Sequence, residues 1–337
     1  VTRRPTLALV LALLTLAMLA AAAFVVGRFA VAPGDVARVL WAALTGGRAD
    51  VPPNVETVVL RVRGPRVLAA MAVGAALASA GSAYQGLFRN PLVSPDILGV
   101  SAGASLGAVF GIWLSLPVVG IQALAFAGGL VAVTAAFLVA VAVRGRDPVL
   151  VLVLAGIVIG TLFGACVGLV KYLADPYNQL PAITFWLLGS LSAVTTADVR
   201  AVLPAVVLGL VPLVLLRWRI NVMTTGDEEA RTLGVETGRV RAAVIAAATL
   251  MTASVVSIAG VIGWIGLLVP HFARLLVGPD FGRLLPASML LGAGYLLAVD
   301  TLARTLARVE VPVGVLTAFI GTPFFVWLLA TSRHGWR

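Results

Sequence analysis

The sequence predicts an all-α integral membrane protein of about ten transmembrane helices, and three observations carry that reading. Of 337 residues, 61% are hydrophobic and only 11% are charged, and the mean hydropathy is +1.07, outside the range of soluble globular domains. Residues 7–27, 67–88, 97–143, 148–170, 242–273 and 311–332 contain no Asp, Glu, Lys or Arg, which is too many windows for a single anchor. None of them alternates with the two-residue period of a barrel strand, and a backbone in lipid must then pair its amides within one segment, as a helix does.

A crossing needs about 20 apolar residues. Window 97–143 is long enough for two, so it reads as a helical hairpin divided at Leu116-Pro117. The expected spans are 7–30, 66–84, 99–114, 117–143, 148–173, 198–216, 238–260, 261–277, 283–304 and 313–331. The first follows Arg3 and Arg4 and ends in small residues, as a secretory signal would. Its apolar run is longer than the roughly 7–15 residues of a signal, so it reads as span one with its basic end in the cytoplasm.

An even number of spans returns the C-terminus, with Arg333 and Arg337, to the cytoplasm. Arg89, Arg144, Arg146, the 217–241 segment, Arg274 and Arg283 then face the same side. Arg38, Arg48, Arg61, Arg63, Arg66, Arg304 and Arg308 fall on the opposite side, blurring the charge asymmetry on which the orientation rests.

Residues 1–337 read as one transmembrane domain, interrupted in three places. Segment 174–197 is a periplasmic break with a short amphipathic helix, and 218–240 is the one strongly polar internal loop, expected in the cytoplasm. Segment 261–277 carries Pro270 and two glycines, so part of it should be irregular and buried in protein.

The chemistry is mostly defined by exclusion. A net charge of +10 could suggest nucleic acid, but the arginines sit singly or in pairs at span ends, without a basic stripe or interleaved aromatics. Cys166 is the only cysteine, which excludes an intrachain disulfide and a cysteine-based metal cluster. A P-loop needs Gly-Lys-Ser/Thr, yet the only lysine, Lys171, lies between Val170 and Tyr172. Nucleotide energy would have to come from a partner. His271 and His334 are far apart and form no His-Glu-x-x-His motif, so an enzyme is not expected.

Asp300 is an intramembrane acid and hence a functional candidate, although Arg304 four residues later can neutralise it on the same helix face. Span five carries Gly156, Gly160, Gly164 and Gly168 at four-residue spacing, and span three carries Gly103, Gly107 and Gly111. Such ridges let helices approach closely in lipid, and the span-five ridge could border a pathway or dimer seam. Residues 225–236 read as a short helix with Asp227, Glu228 and Glu229 in its first turn and Gly234 as its stop. Ala230 and Leu233, expected to be exposed, would suit docking into a partner's groove.

Several ordered segments resemble the permeases of type II ABC importers for iron-siderophores, haem and cobalamin, over nearly the whole chain. They are Arg63-Gly-Pro-Arg66-Val-Leu-Ala-Ala, Gln85-Gly-Leu-Phe-Arg89-Asn90-Pro-Leu92, Pro95-Asp-Ile-Leu-Gly-Val-Ser-Ala-Gly103, Gly226 to Gly234, Gly266-Leu-Leu-Val-Pro270-His271 and Val311-Pro-Val-Gly-Val-Leu-Thr317.

The resemblance implies a homodimer of ten-span subunits in a bacterial inner membrane, with the pathway on the dimer axis beside spans five and ten, where the Gly156–Gly168 ridge falls. It implies that Arg63, Arg66 and Arg304 receive acidic residues of a periplasmic or lipid-anchored substrate-binding protein. Gly226, Asp227, Glu228, Glu229, Ala230, Leu233 and Gly234 match the coupling loop that docks on two ATPase subunits, which would bind ATP and magnesium; this chain itself would carry no cofactor. Asn90 and Leu92 match a cytoplasmic gate, whereas Asp147-Pro-Val-Leu150 departs from the family's second gate position. The implied cargo is an iron chelate, haem or iron-siderophore. Cobalamin or a molybdate-type oxyanion are alternatives, and an ion-coupled secondary transporter is a weaker one.

Overall fold

The computed structural model describes residues 4–143 and 148–331; Arg3, Arg144, Arg146, Asp147, Arg333, His334 and Arg337 lie outside them. The outermost helix, α1 (Arg4–Val25), is followed by α2 (Pro33–Thr45). Next, α3 (Pro53–Thr57) passes through one π turn, Val58–Arg63, into α4 (Gly64–Leu87). The π turn has a local cause: Pro65 has no N–H to give the ladder, and the Gly64 N–H reaches back to the carbonyl of Val59. A 3₁₀ turn, Pro95–Leu98, leads to the hairpin α5 (Val100–Trp113) and α6 (Val118–Ala142), then α7 (Pro148–Leu173). The chain continues with α8 (Gln179–Leu187), α9 (Thr196–Leu215), α10 (Arg217–Met223), α11 (Asp227–Thr232), α12 (Thr237–Ala259), α13 (Ile265–Val277), α14 (Phe281–Thr305) and α15 (Val313–Thr331).

Among the described residues, seven helices are long and apolar enough to cross a membrane; α5, α13 and α15 are shorter apolar helices. Together they match the ten expected spans. The hairpin break lies at Leu114–Pro117, as its proline predicts, with Ser115 at φ 55. Segment 261–277 is irregular only at its start: Gly260 and Trp264 have positive φ, and α13 then runs helically through Pro270. The helix α2 was not expected. Pro33 starts it, left-handed Gly46 stops it, and Val36, Val39 and Ala42 are buried while Trp41 and Leu44 face outward.

The core forms around α4, which packs on α12, α13 and α14. Glycine contacts make this possible. A Cβ on Gly74 would lie 2.7 Å from the carbonyl carbon of Gly292 in α14, and one on Gly81 would lie 2.6 Å from that of Gly266 in α13. In lipid, helix association depends on such close van der Waals contact. The span-three glycines act likewise: a Cβ on Gly103 would sit 2.8 Å from the carbonyl carbon of Gly128 in α6. Gly103-Ala-Ser105-Leu-Gly107 also spells a nucleophile-elbow pattern, but Ser105 is buried within α5 and has no strand-to-helix turn.

The Gly81→Val variant should lose about 1–3 kcal/mol through overpacking, read as a lower thermal unfolding temperature in detergent. Gly164→Val, where an added Cβ would meet nothing within 4 Å, should leave the temperature of the isolated subunit unchanged.

Candidate functional site

Two clusters of polar side chains lie at opposite ends of the bundle, and α14 runs from one to the other. The end carrying α10 and α11, expected in the cytoplasm from the charge pattern, is called the inner end, and the opposite one the outer end.

At the outer end the chain assembles the arginines that blurred the charge count. Arg66, near the start of α4, donates from Nε to Asp300 Oδ1 at 2.8 Å and Oδ2 at 3.0 Å. Its Nη1 donates to Glu310 Oε2 at 3.1 Å, and Nη2 bonds Glu310 Oε1. Arg304 Nε stands 3.3 Å from Asp300 Oδ2, within ion-pair reach but not aligned as a hydrogen bond. Arg63 donates to the carbonyls of Phe24, Val25 and Phe29, and Arg304 to that of Ala23. These arginines thereby satisfy the orphan carbonyls at the C-terminus of α1, whose dipole also favours cations there.

Arg63, Arg66 and Arg304 are therefore together, as one site requires, but they are turned inward. Their exposures are 4%, 7% and 9%, and that of Asp300 is 0%. The i,i+4 partner expected for Asp300 is present, but its tightest partner is Arg66, and Glu310 joins from the loop before α15. Three cations against two carboxylates leave one positive charge in excess. Glu310, with its side chain 25% exposed, is the acid nearest the surface.

At the inner end, α11 is shorter than the 225–236 helix expected, and Gly226 precedes it at φ 132. Ala230 is fully buried and only Leu233, at 58%, is exposed, so the expected exposed pair is corrected to one residue. The helix turns Ala230 onto the core because Asp227 is held by Arg241 of α12, at 2.7 and 3.0 Å. Glu228 and Glu229 remain on the surface, and left-handed Gly234 (φ 80) ends the turn. A second tie joins α10 to α14: Asn221 Nδ2 donates to Asp280 Oδ2 at 2.8 Å, and its Oδ1 accepts from Phe281 N at 2.7 Å. Asn90 and Leu92 lie at this end, in a turn where Asn90 Oδ1 accepts from Leu92 N at 2.9 Å.

Between the ends, the span-five ridge divides. A Cβ on Gly156 would lie 2.7 Å from Leu98 Cα of the same chain, whereas Gly164 and Gly168 face open space. A cavity of about 580 Å³ opens on the outer half of α15, lined by Leu187, Leu188, Val261, Trp264, Phe319 and Pro323. Trp264 escaped the sequence reading; its φ of 71 and the absence of a side chain at Gly321 let the indole lie on α15. The paired glycines of Gly260-Val-Ile-Gly-Trp264, inside an apolar window, were its signal. On the α7–α8 turn outside the spans, the backbone N–H of Asn178 holds the Asp175 carboxyl below the ordinary carboxylate range.

Removing the buried acid alone should be worse than removing the pair. We expect Asp300→Ala to cost about 3–5 kcal/mol by leaving Arg304 without a carboxylate, since Arg66 keeps Glu310, and Asp300→Leu/Arg304→Met to recover most of it, measured by unfolding in detergent.

Comparison with known proteins fits this architecture. Residues 11–331 match the FecCD transport family. The cobalamin import system permease protein BtuC of Halobacterium salinarum is 42% identical over 86% of this chain and 79% of its own. The molybdate import system permease protein MolB of Haemophilus influenzae is 36% identical over 92% and 91%, and the hemin transport system permease protein HmuU of Yersinia pestis is 40% identical over 82% of each. A solved structure, an inward-facing conformation of a metal-chelate type ABC transporter, superposes with a TM-score of 0.86 at 34% identity, covering 96% of this chain and 98% of that one. The chain thus belongs to the FecCD transport family, the permeases of type II ABC importers.

Proposed function

We propose that this permease, as a homodimer in a bacterial inner membrane, moves an iron chelate, haem or iron-siderophore, into the cytoplasm, driven by two separate ATPase subunits. The observation that carries the division of labour is α11. It is a short helix outside the spans, pinned to α12 by Asp227–Arg241, with Glu228, Glu229 and Leu233 exposed. A pinned helix transmits a push rather than absorbing it. The Asn221 tie then gives the push a path to the first turn of α14, whose far end holds Asp300 and Arg304.

The exposed faces of α7 and α15 support the dimer. Gly164 and Gly168 have nothing against them in a single subunit, and the apolar cavity beside α15 opens on that subunit's surface. Its apolar wall of Leu187, Trp264 and Phe319 suits a bulky chelate more than a small anion. The relative that imports cobalamin keeps that cargo as the second reading, since a corrin is also a bulky metal chelate, and the molybdate relative keeps an oxyanion as a third.

At the outer end, the one excess positive charge supports docking of an acidic binding protein. Burial changes how it would happen. A docking carboxylate reaches Arg66 by taking the place of Glu310, and that exchange frees the loop that starts α15.

Two experiments test this reading. The chain alone in liposomes should hydrolyse no ATP; with its ATPase subunits, Leu233→Asp should weaken their association roughly tenfold, and ATP hydrolysis by the chain alone would refute the division of labour. Glu310→Gln should tighten binding-protein docking several-fold while Arg66→Glu abolishes it; docking weakened by Glu310→Gln would show that Glu310 is no competitor.

A further inference from the structure

Helix α4 ends on an arginine in a place that favours glycine. The N–H of Arg89 donates to the carbonyl of Gly86 at 3.3 Å and that of Asn90 to the carbonyl of Gln85 at 3.2 Å, the paired closure in which the residue after the cap turns left-handed. Arg89 does so at φ 50. Helix α11 closes in the same way on Gly234, and α5 on Ser115. A side chain costs free energy at such a position, and a long one adds nothing to the turn itself. An outlier of this kind points to a use for the side chain.

The guanidinium extends to the start of α11. A Cβ on Gly226 would lie 3.5 Å from Arg89 Nη1 and 3.3 Å from Glu229 Cδ, so the two side chains converge over one bare glycine. Both residues are exposed, and they stop short of pairing: among the described residues the Arg89 guanidinium makes no ion pair or hydrogen bond. With no side chain between them, the opposite charges need only a small shift of α11 to meet.

What Arg89 would carry is the turn that follows it. Residues Asn90 to Ser94 run into the Pro95–Leu98 3₁₀ turn, which is wedged between two helices. Pro95 Cγ would lie 2.9 Å from a Cβ on Gly266 of α13, and Leu98 Cα 2.7 Å from one on Gly156 of α7. Segments packed that closely move their neighbours rather than yield. The turn therefore leads from α11 to the glycine ridge of α7, as the Asn221 tie leads from α10 to α14.

We propose that Arg89 is a positioning residue that couples α11 to this turn: when the ATPase subunits press on α11, the guanidinium closes onto Glu229 and draws the turn with it. This rests on the docking of α11 proposed above. The test uses the chain with its ATPase subunits in liposomes, carrying Ser94→Cys in a Cys166→Ser background as a reporter, and measures its rate of maleimide modification with and without ATP and vanadate. ATP should change that rate at least roughly fivefold. Arg89→Gln and Arg89→Gly should lose the response and keep their ATPase subunits, and Arg89→Lys should retain it. Arg89→Gly suits the left-handed backbone, so its unfolding temperature should not fall, which separates positioning from a structural role. Arg89→Glu should lose the response and Arg89→Glu/Glu229→Arg recover it; an exchange that keeps its ATPase subunits but not the response would overturn the pairing. An unchanged response in Arg89→Gln and Arg89→Gly would overturn the coupling and leave the docking of α11 standing. Release of the ATPase subunits by those two variants would make Arg89 a docking residue and overturn it as well. Failure of the reporter chain itself to bind the ATPase subunits would sink the docking and the coupling together.

Discussion

Arg66 and Asp300 are 234 residues apart in sequence and meet at 2.8 Å with almost no access to water. A buried carboxylate in a membrane protein has few ways to remain charged, and here two guanidiniums compensate one acid. The consequence is geometric. Arg66 fixes the start of α4 against the end of α14, Arg304 reaches from α14 to the end of α1, and Glu310 brings in the approach to α15. Four segments distant in sequence are thus registered by one set of charges.

Glycine contacts keep that registration along the bundle. Gly74 against Gly292 and Gly81 against Gly266 bring α4 to backbone contact with α14 and α13. With little hydrophobic force between helices in lipid, close packing and buried polar contacts must supply the cohesion. The core is therefore rigid around α4, while α1, α7 and α15 stay largely uncovered on the outside. Motion in such a subunit is most easily accommodated at its rim. The long α14, tied to Asn221 at one end and Arg66 at the other, is the element common to both polar clusters.

Much of this was legible in the residues. Charge-free windows marked the spans, Pro117 the hairpin, and the acidic first turn of α11 its start. The positions of Arg63, Arg66 and Arg304 were recognised as belonging together. Their burial was not, because an arginine near a span end has the same composition whether it faces water or caps a neighbouring helix. Ala230 failed for a similar reason: its orientation follows from the Asp227–Arg241 pair, and Arg241 lies on the next helix. The amphipathic α2 was missed because a 13-residue helix on a polar loop is not a span.

The sequence by itself determined that the chain crosses a membrane about ten times, that it lacks the lysine loop for nucleotide, and where its polar segments fall. These are one-dimensional properties, set by local hydropathy and the reach of a helix across lipid. Tertiary structure alone decided which arginine neutralises Asp300, which half of the Gly156–Gly168 ridge stays open, and that Arg63 caps α1. Those outcomes depend on which distant helix faces a given side chain, and in a low-dielectric interior it is the facing partner that decides whether a charge can be buried at all.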